Sequence, residues 1–264
     1  MNYPHRPGGS AAAQSVGAAD SEPWTARRKT AAPQPNVPMR RFEALTLLAD
    51  DTIAEVVRRA PAHPMFENAF AALARGTIIA TEEGPIAVED LLPGMRIETR
   101  DAGYQPLLWL GTITLSPQMT PGLTPMRLFR IPVDSFGPSR PMPDLMLAPH
   151  ARLLHRSAKL RDVSRDGAAL TPITAFEDGN SVVRVAPVSA VNVYHLAFRD
   201  HHILRANGLE IESYHPGEDL LTRMGTDSLR LFHSFFPHLN ALEDFGPLVA
   251  PRLSVEEFEE LSAA

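Results

Sequence analysis

Between Gly76 and Tyr214 the chain breaks into many short segments rich in β-branched and aromatic residues, each bounded by turn residues. This punctuation restricts the fold more than any other feature. The clearest segments are 77–81, 86–88, 95–99, 106–114, 126–131, 145–148, 151–155, 182–186, 191–198, 202–206 and 209–213. Pro93-Gly94, Asp101-Ala102-Gly103, Phe136-Gly137-Pro138, Asp178-Gly179-Asn180 and Asn207-Gly208 separate them, and such residues supply the positive φ or fixed φ that turns need. Segments so closely spaced leave no room for helical crossovers, so the spacing predicts an all-β domain with mostly antiparallel pairing. The 25 prolines fit this picture, since proline is confined to turns, strand starts and sheet edges. Asn207-Gly208 is the strongest hairpin signal, because a two-residue type I′ turn wants both residues at positive φ. Its tendency to form a succinimide is the minor alternative.

The flanks read differently. Residues 1–40 are rich in Ala, Pro, Gly and Ser without periodicity and are expected to be a disordered tail. Residues 41–65 are expected to hold a helix and a linker: Thr52-Ile53-Ala54-Glu55 has capping-box spacing, and Ile53, Val56 and Val57 share a helical face. A second helix is expected from Met65 to Ala74, on the spacing of Phe66, Ala69, Phe70 and Leu73. The β domain spans 66–216, and 217–264 turns helical again. There Asp227 can cap a helix running to about Phe236, and Ser254-Val255-Glu256-Glu257 has the spacing of a second capping box.

Bulk properties narrow the chemistry. The 264 residues include no cysteine, which excludes disulfides, thiolate metal sites and thiol nucleophiles. Net charge is -6, and no basic face interleaved with aromatics is visible, so nucleic-acid binding is not expected. The apolar runs fall far short of the ~20 residues that cross a bilayer, so no membrane span is expected. The first thirty residues lack an apolar h-region, which favours a cytoplasmic location, with signal-less export as the alternative. Arginines in the first 41 residues and glutamates 256, 257, 259 and 260 near the end make opposite-signed flanks. A protein partner is expected to meet the flanking helices, if any partner does. The acidic C-terminal helix as an export signal is the weaker alternative.

Three segments together resemble the Hint (Hedgehog/intein) family in its free-standing bacterial form. The first runs Ala72-Leu73-Ala74-Arg75-Gly76-Thr77-Ile78-Ile79-Ala80-Thr81 and on to Val88-Glu89-Asp90-Leu91. The second is Leu145-Met146-Leu147-Ala148-Pro149-His150-Ala151. The third joins Tyr194-His195-Leu196-Ala197-Phe198 to His201-His202-Ile203-Leu204-Arg205-Ala206-Asn207-Gly208-Leu209-Glu210-Ile211-Glu212-Ser213. The resemblance implies a mainly β fold, a pseudo-twofold horseshoe of short antiparallel strands flanked by N- and C-terminal helices. It also implies self-processing: a Cys or Ser attacks the preceding carbonyl, and a Thr/His pair polarises the amide and protonates its departing nitrogen.

Position by position, the residues that this chemistry needs are missing. Ala72 stands where the nucleophile belongs, Ala148 at the Ser/Thr position and Ala151 at the His position. Glu212 and Ser213 stand where an intein has His-Asn. The resemblance therefore implies an inactive domain acting as a structural or interaction module, without catalytic residues or cofactor. The alternative is residual autoprocessing through displaced residues, with His150 as acid and Ser213 as nucleophile. A one-residue slip on a strand would turn His150 to the wrong face.

Other polar groups read as structural. His195, His201, His202 and His215 lie close in sequence, with His150 and His155 elsewhere, but no tight spacing pairs them with an acidic ligand, so no metal site is expected. Adjacent His201 and His202 on a strand point to opposite faces. Trp109 reads as core. Asp144 and Glu212 read as lone carboxylates.

Overall fold

Two nine-residue strands, β1 (Met39–Leu47) and β2 (Ile53–Pro61), form an antiparallel hairpin where a helix and the end of a tail were expected. The structure is a computed structural model that describes residues 37–117, 125–217 and 223–263, so the expected tail lies almost wholly outside the described residues. The expectation at 53–60 fails for a definite reason. Val56 and Ala60 are buried while Ile53 and Val57 are exposed, and positions four apart share a face in a strand as well as in a helix. Three β-branched residues in the run favour the strand. Thr52 does not cap a helix: its N–H and hydroxyl both donate to Asp50 Oδ1, at 3.1 and 2.6 Å, closing the hairpin loop.

The expected helix at 65–74 shrinks to one turn, α1 (Pro64–Glu67), capped by His63 Nδ1, which accepts from the Met65 N–H. The chain then bends into the two-residue strand β3 (Leu73–Ala74). Further on, strands fall where the punctuation places them: β4 (Ile78–Thr81), β5 (Gly84–Ala87), β6 (Arg96–Thr99), β8 (Trp109–Leu115), β9 (Leu128–Ile131), β10 (Leu145–Leu147), β11 (Arg152–Arg156), β13 (Val183–Val185), β14 (Val191–Ala197), β15 (Ile203–Ala206) and β16 (Leu209–Glu212). Two more, β7 (Gly103–Pro106) and β12 (Ala168–Pro172), were not separated in the sequence.

The fold is mainly β, with every strand pair antiparallel. One eight-stranded sheet has the order β13-β9-β10-β3-β14-β8-β1-β2. The other has the order β12-β11-β16-β15-β4-β6-β7, with β5 on β4. Asn207-Gly208 forms the β15–β16 hairpin, with φ of 46° and 85°. Asn207 is also a clamp: its Oδ1 accepts from the Ile78 N–H at 2.7 Å, and its Nδ2 donates to the carbonyls of Pro143 and Asp144.

Two large apolar cores and two small ones result among the described residues. One is aromatic and draws the N-terminal hairpin into the fold, joining Phe42, Phe66 and Phe70 to Trp109, Phe235 and Phe236. Phe70 lies 5.1 Å from Trp109 and 5.2 Å from Phe235 between ring centroids, distances at which edge-to-face contacts add to burial. Trp109 is core, as its sequence setting suggests, and its indole N–H donates to the Phe235 carbonyl at 2.7 Å. Its ring lies over Gly111, where an added Cβ would come within 2.0 Å of the indole, so only glycine permits this approach. Helix α2 (Thr226–His233) supplies Phe232 to the same core and ends before the expected Phe236.

The last helix, α3 (Val255–Ala263), has the capping box that its sequence announces. Ser254 Oγ accepts from the Glu257 N–H at 3.1 Å, and the Ser254 N–H donates to Glu257 Oε2 at 2.7 Å. Phe258 and Leu261 anchor it against a small core of Leu160, Ala169 and Leu253. Glu256, Glu257, Glu259 and Glu260 stay exposed.

Candidate functional site

Strand β3 is wedged between β10 and β14, and this pairing builds the site. Leu73 faces Leu147 on one side and Tyr194 on the other. Just before it, the Ala72 N–H donates to the Tyr194 carbonyl at 3.1 Å, and the Ala72 carbonyl accepts from the Ala148 N–H at 2.8 Å. The Ala71 carbonyl, which a nucleophile at position 72 would attack, accepts from the His150 N–H at 3.2 Å. A tight turn carries the Ala151 N–H to the Ala148 carbonyl at 3.2 Å. The three alanines singled out in the sequence are thus neighbours along one backbone network. Ala72 and Ala148 have no exposed surface and Ala151 almost none. The methyls of Ala72 and Ala151 belong to one core, and that of Ala148 to the aromatic core beside it.

His150 sits in that turn and not on a strand, so strand alternation does not fix its direction. Its side chain lines a cavity of about 670 Å³ together with Arg152, His195, Glu212, Tyr214 and Arg252. Burial, with His195 and Arg152 nearby, lowers the His150 pKa to about 4. Burial also lowers that of His195 to about 4, against the upward pull of the carbonyls of Asn68 and Glu212. His195 Nδ1 lies 3.0 Å from the Asn68 carbonyl. Both rings are therefore neutral at pH 7, able to take up a proton but lacking imidazolium acidity.

Glu212 is not a lone carboxylate. Its side chain is 4% exposed and lies 2.7 Å from Arg252 Nε and 3.7 Å from Arg152 Nε. Burial alone would raise its pKa, but Arg252 and His201 override it and hold the carboxyl near 2. Val249 N–H donates to His201 Nδ1 at 3.0 Å, which leaves the His201 proton on Nε2. That nitrogen is 3.1 Å from Glu212 Oε1, in an off-line contact that is mainly electrostatic. Arg252 also donates to the His215 carbonyl, and Arg152 to those of Leu170 and Leu253. This is a structural charge network that ties β16 to the segment preceding α3.

Ser213 is fully buried outside the cavity lining, and its Oγ accepts from the His202 N–H at 2.9 Å. His202 turns the other way from His201 and places Nδ1 2.7 Å from Asp101 Oδ2. Asp144 also has partners, Arg130 and the Val133 N–H, and these hold its carboxyl below the usual range. Among the described residues no group of three metal-ligating side chains gathers, and no helix is long and apolar enough to cross a membrane. Sequence reading missed Arg152 and Arg252. The isolated Arg152 between Ala151 and Leu153 was the one local hint, because a cation within an apolar run needs a buried partner.

A family model described as Hint domain matches residues 71–218. No curated protein matches the chain. Among solved structures, the chain is similar to the solution structure of a bacterial intein-like domain from Clostridium thermocellum. The identity is 11%, with 55% of this chain and 99% of that one covered and a TM-score of 0.37. It is also similar to a GSH-linked, splice-inactive variant of the AceL NrdHF class 3 split intein. Here the identity is 9%, the coverage 54% and 97%, and the TM-score 0.38. Likenesses this remote say nothing of its activity.

Proposed function

This chain belongs to the Hint domain family, and we propose that within that family it has lost self-cleavage and serves as a structural or interaction module. The observation that carries the reading is Ala72. At the position of the attacking side chain stands a buried methyl, and its neighbours Ala148 and Ala151 add two more. No bond to the Ala71 carbonyl carbon can form without a nucleophilic atom. A second observation supports it: residues 39–70, upstream of the junction, supply two strands and three core phenylalanines to the domain. Such a segment is scaffold, unlike a leaving group.

The contact surface in this reading is the acidic outer side of α3, Glu256, Glu257, Glu259 and Glu260, which suits a basic partner segment. The competing reading keeps autoprocessing alive through His150 and Ser213. It draws on the position of His150 at the cavity, with its backbone N–H on the Ala71 carbonyl. Against it, the Ser213 hydroxyl oxygen is engaged by His202.

Intact-mass measurement of the full chain separates the two, before and after incubation with dithiothreitol or hydroxylamine. The module reading expects one unchanged mass. Fragments ending at Ala71 or beginning at Ser213 would overturn it.

A further inference from the structure

We propose that the free edge of β2 pairs with β2 of a second copy, joining the two sheets across a two-fold axis into one continuous sheet. Among the described residues β2 pairs with β1 alone, so one of its edges is open. The hairpin register says which groups face outward. The Leu48 N–H donates to the Thr52 carbonyl, and the Ala62 N–H to the Pro38 carbonyl, both at 2.8 Å. In an antiparallel pair hydrogen-bonded positions alternate, so the even-numbered residues of β2 bond to β1. Ile53, Glu55, Val57 and Arg59 direct their N–H and C=O groups away from the sheet. Their side chains are exposed as well, Ile53 by 47% and Val57 by 43%.

An open edge nine residues long is a template for another strand, and proteins that stay apart guard such edges with like charges, proline or bulges. Here proline stands only at the last position, Pro61, and the outward charges are of opposite sign. Their spacing is self-complementary. With Val57 opposite Val57 of the second copy, Glu55 lies opposite Arg59 of that copy, and the two-fold repeats the pair. Centring on Glu55 or on Arg59 would set like charges face to face, and centring on Val56 would leave Glu55 against Val57. Cross-strand pairs of opposite charge favour the first register, and like charges disfavour the others. A closed two-fold contact of this kind is the commonest route to a dimer.

Multi-angle light scattering and native mass spectrometry of the full chain test this across a wide range of concentration. The expected wild-type result is twice the chain mass. Val57→Pro removes one outward N–H that the hairpin does not use, so it is expected to give a folded monomer, with circular dichroism as the check on folding. Glu55→Arg and Arg59→Glu are each expected to weaken self-association roughly tenfold or more. Mixing these two variants is expected to restore a dimer that holds one copy of each. A wild-type monomer, a Val57→Pro dimer, or variants that fail to combine would each overturn the proposal. So would a dimer that forms only after residues 1–36 are removed, since that places the chain's own N-terminal segment on the edge.

Discussion

The two sides of the junction solve opposite physical problems. Around Ala72, hydrogen bonds are made by backbone atoms alone and the side chains are methyls at the edge of two apolar cores. Around Glu212, a buried carboxylate is met by two partly buried guanidinium groups, which is stable only when each charge is paired and its remaining donors are used. Glu212, Arg152 and Arg252 each have a partner that ties two segments together. Buried polarity around Glu212 marks the joint between β16 and the C-terminal segment.

The largest expected effect tests the charged side. Arg252→Ala takes the closest cation away from buried Glu212, leaving Arg152 at 3.7 Å, and should lower unfolding free energy in urea by about 3–5 kcal/mol. Replacing both partners by apolar residues, as Glu212→Leu with Arg252→Met, should cost clearly less; an equal loss would mean that the network is not a paired unit. Phe70→Ala comes next, at about 3–4 kcal/mol, because Phe70 touches Phe42, Trp109 and Phe235 at once. A loss under about 1 kcal/mol would detach the N-terminal hairpin from the core and weaken the scaffold reading.

Acid titration sharpens the same contrast. The pKa values of His150, His195 and His215 are lowered to about 4 in the folded chain, mainly by burial. The unfolded chain takes up protons at these sites first, so stability is full above about pH 6.5 and falls as pH drops toward 4. Glu212, held near 2, adds a second loss as pH falls from about 4.5 toward 2. Urea midpoints measured against pH should show both windows, and Glu212→Gln should reduce the lower one while deepening the upper one, because the Glu212 charge holds the His195 and His215 pKa values up. The smallest effect belongs to the alanine side. Ala72→Ser should leave the chain uncleaved, at the mass calculated for the variant, because Ala148 and Ala151 supply no acid, and burying its hydroxyl among apolar side chains should cost about 1–3 kcal/mol. Cleavage by this single variant would show that the helping groups lie elsewhere in the cavity.

Local chemistry made much of this legible. Turn residues announced the strands from β4 to β16 except β7 and β12, Asn207-Gly208 its hairpin, and Ser254 with Glu257 the cap of α3. The family was legible in the three segments that carry its resemblance. The N-terminal flank could not be read so simply: Val56 and Ala60, four apart, fit either period, and a one-turn helix at 64–67 leaves little signal. The direction of His150 comes from a turn, which strand alternation does not describe.

The sequence by itself determined the mainly β class, the spacing of its strands and the absence of a nucleophile at Ala72, since these depend on residue type and short-range order. Tertiary structure alone decided that residues 39–70 belong to the fold and that Glu212 has partners. Arg252 is 40 positions away and Phe70 meets Phe235 across the molecule. Contacts between distant residues leave no local period to read. The stretch from Ala72 to Thr81 is therefore two short strands, β3 in one sheet and β4 in the other, with β3 held by backbone on both sides.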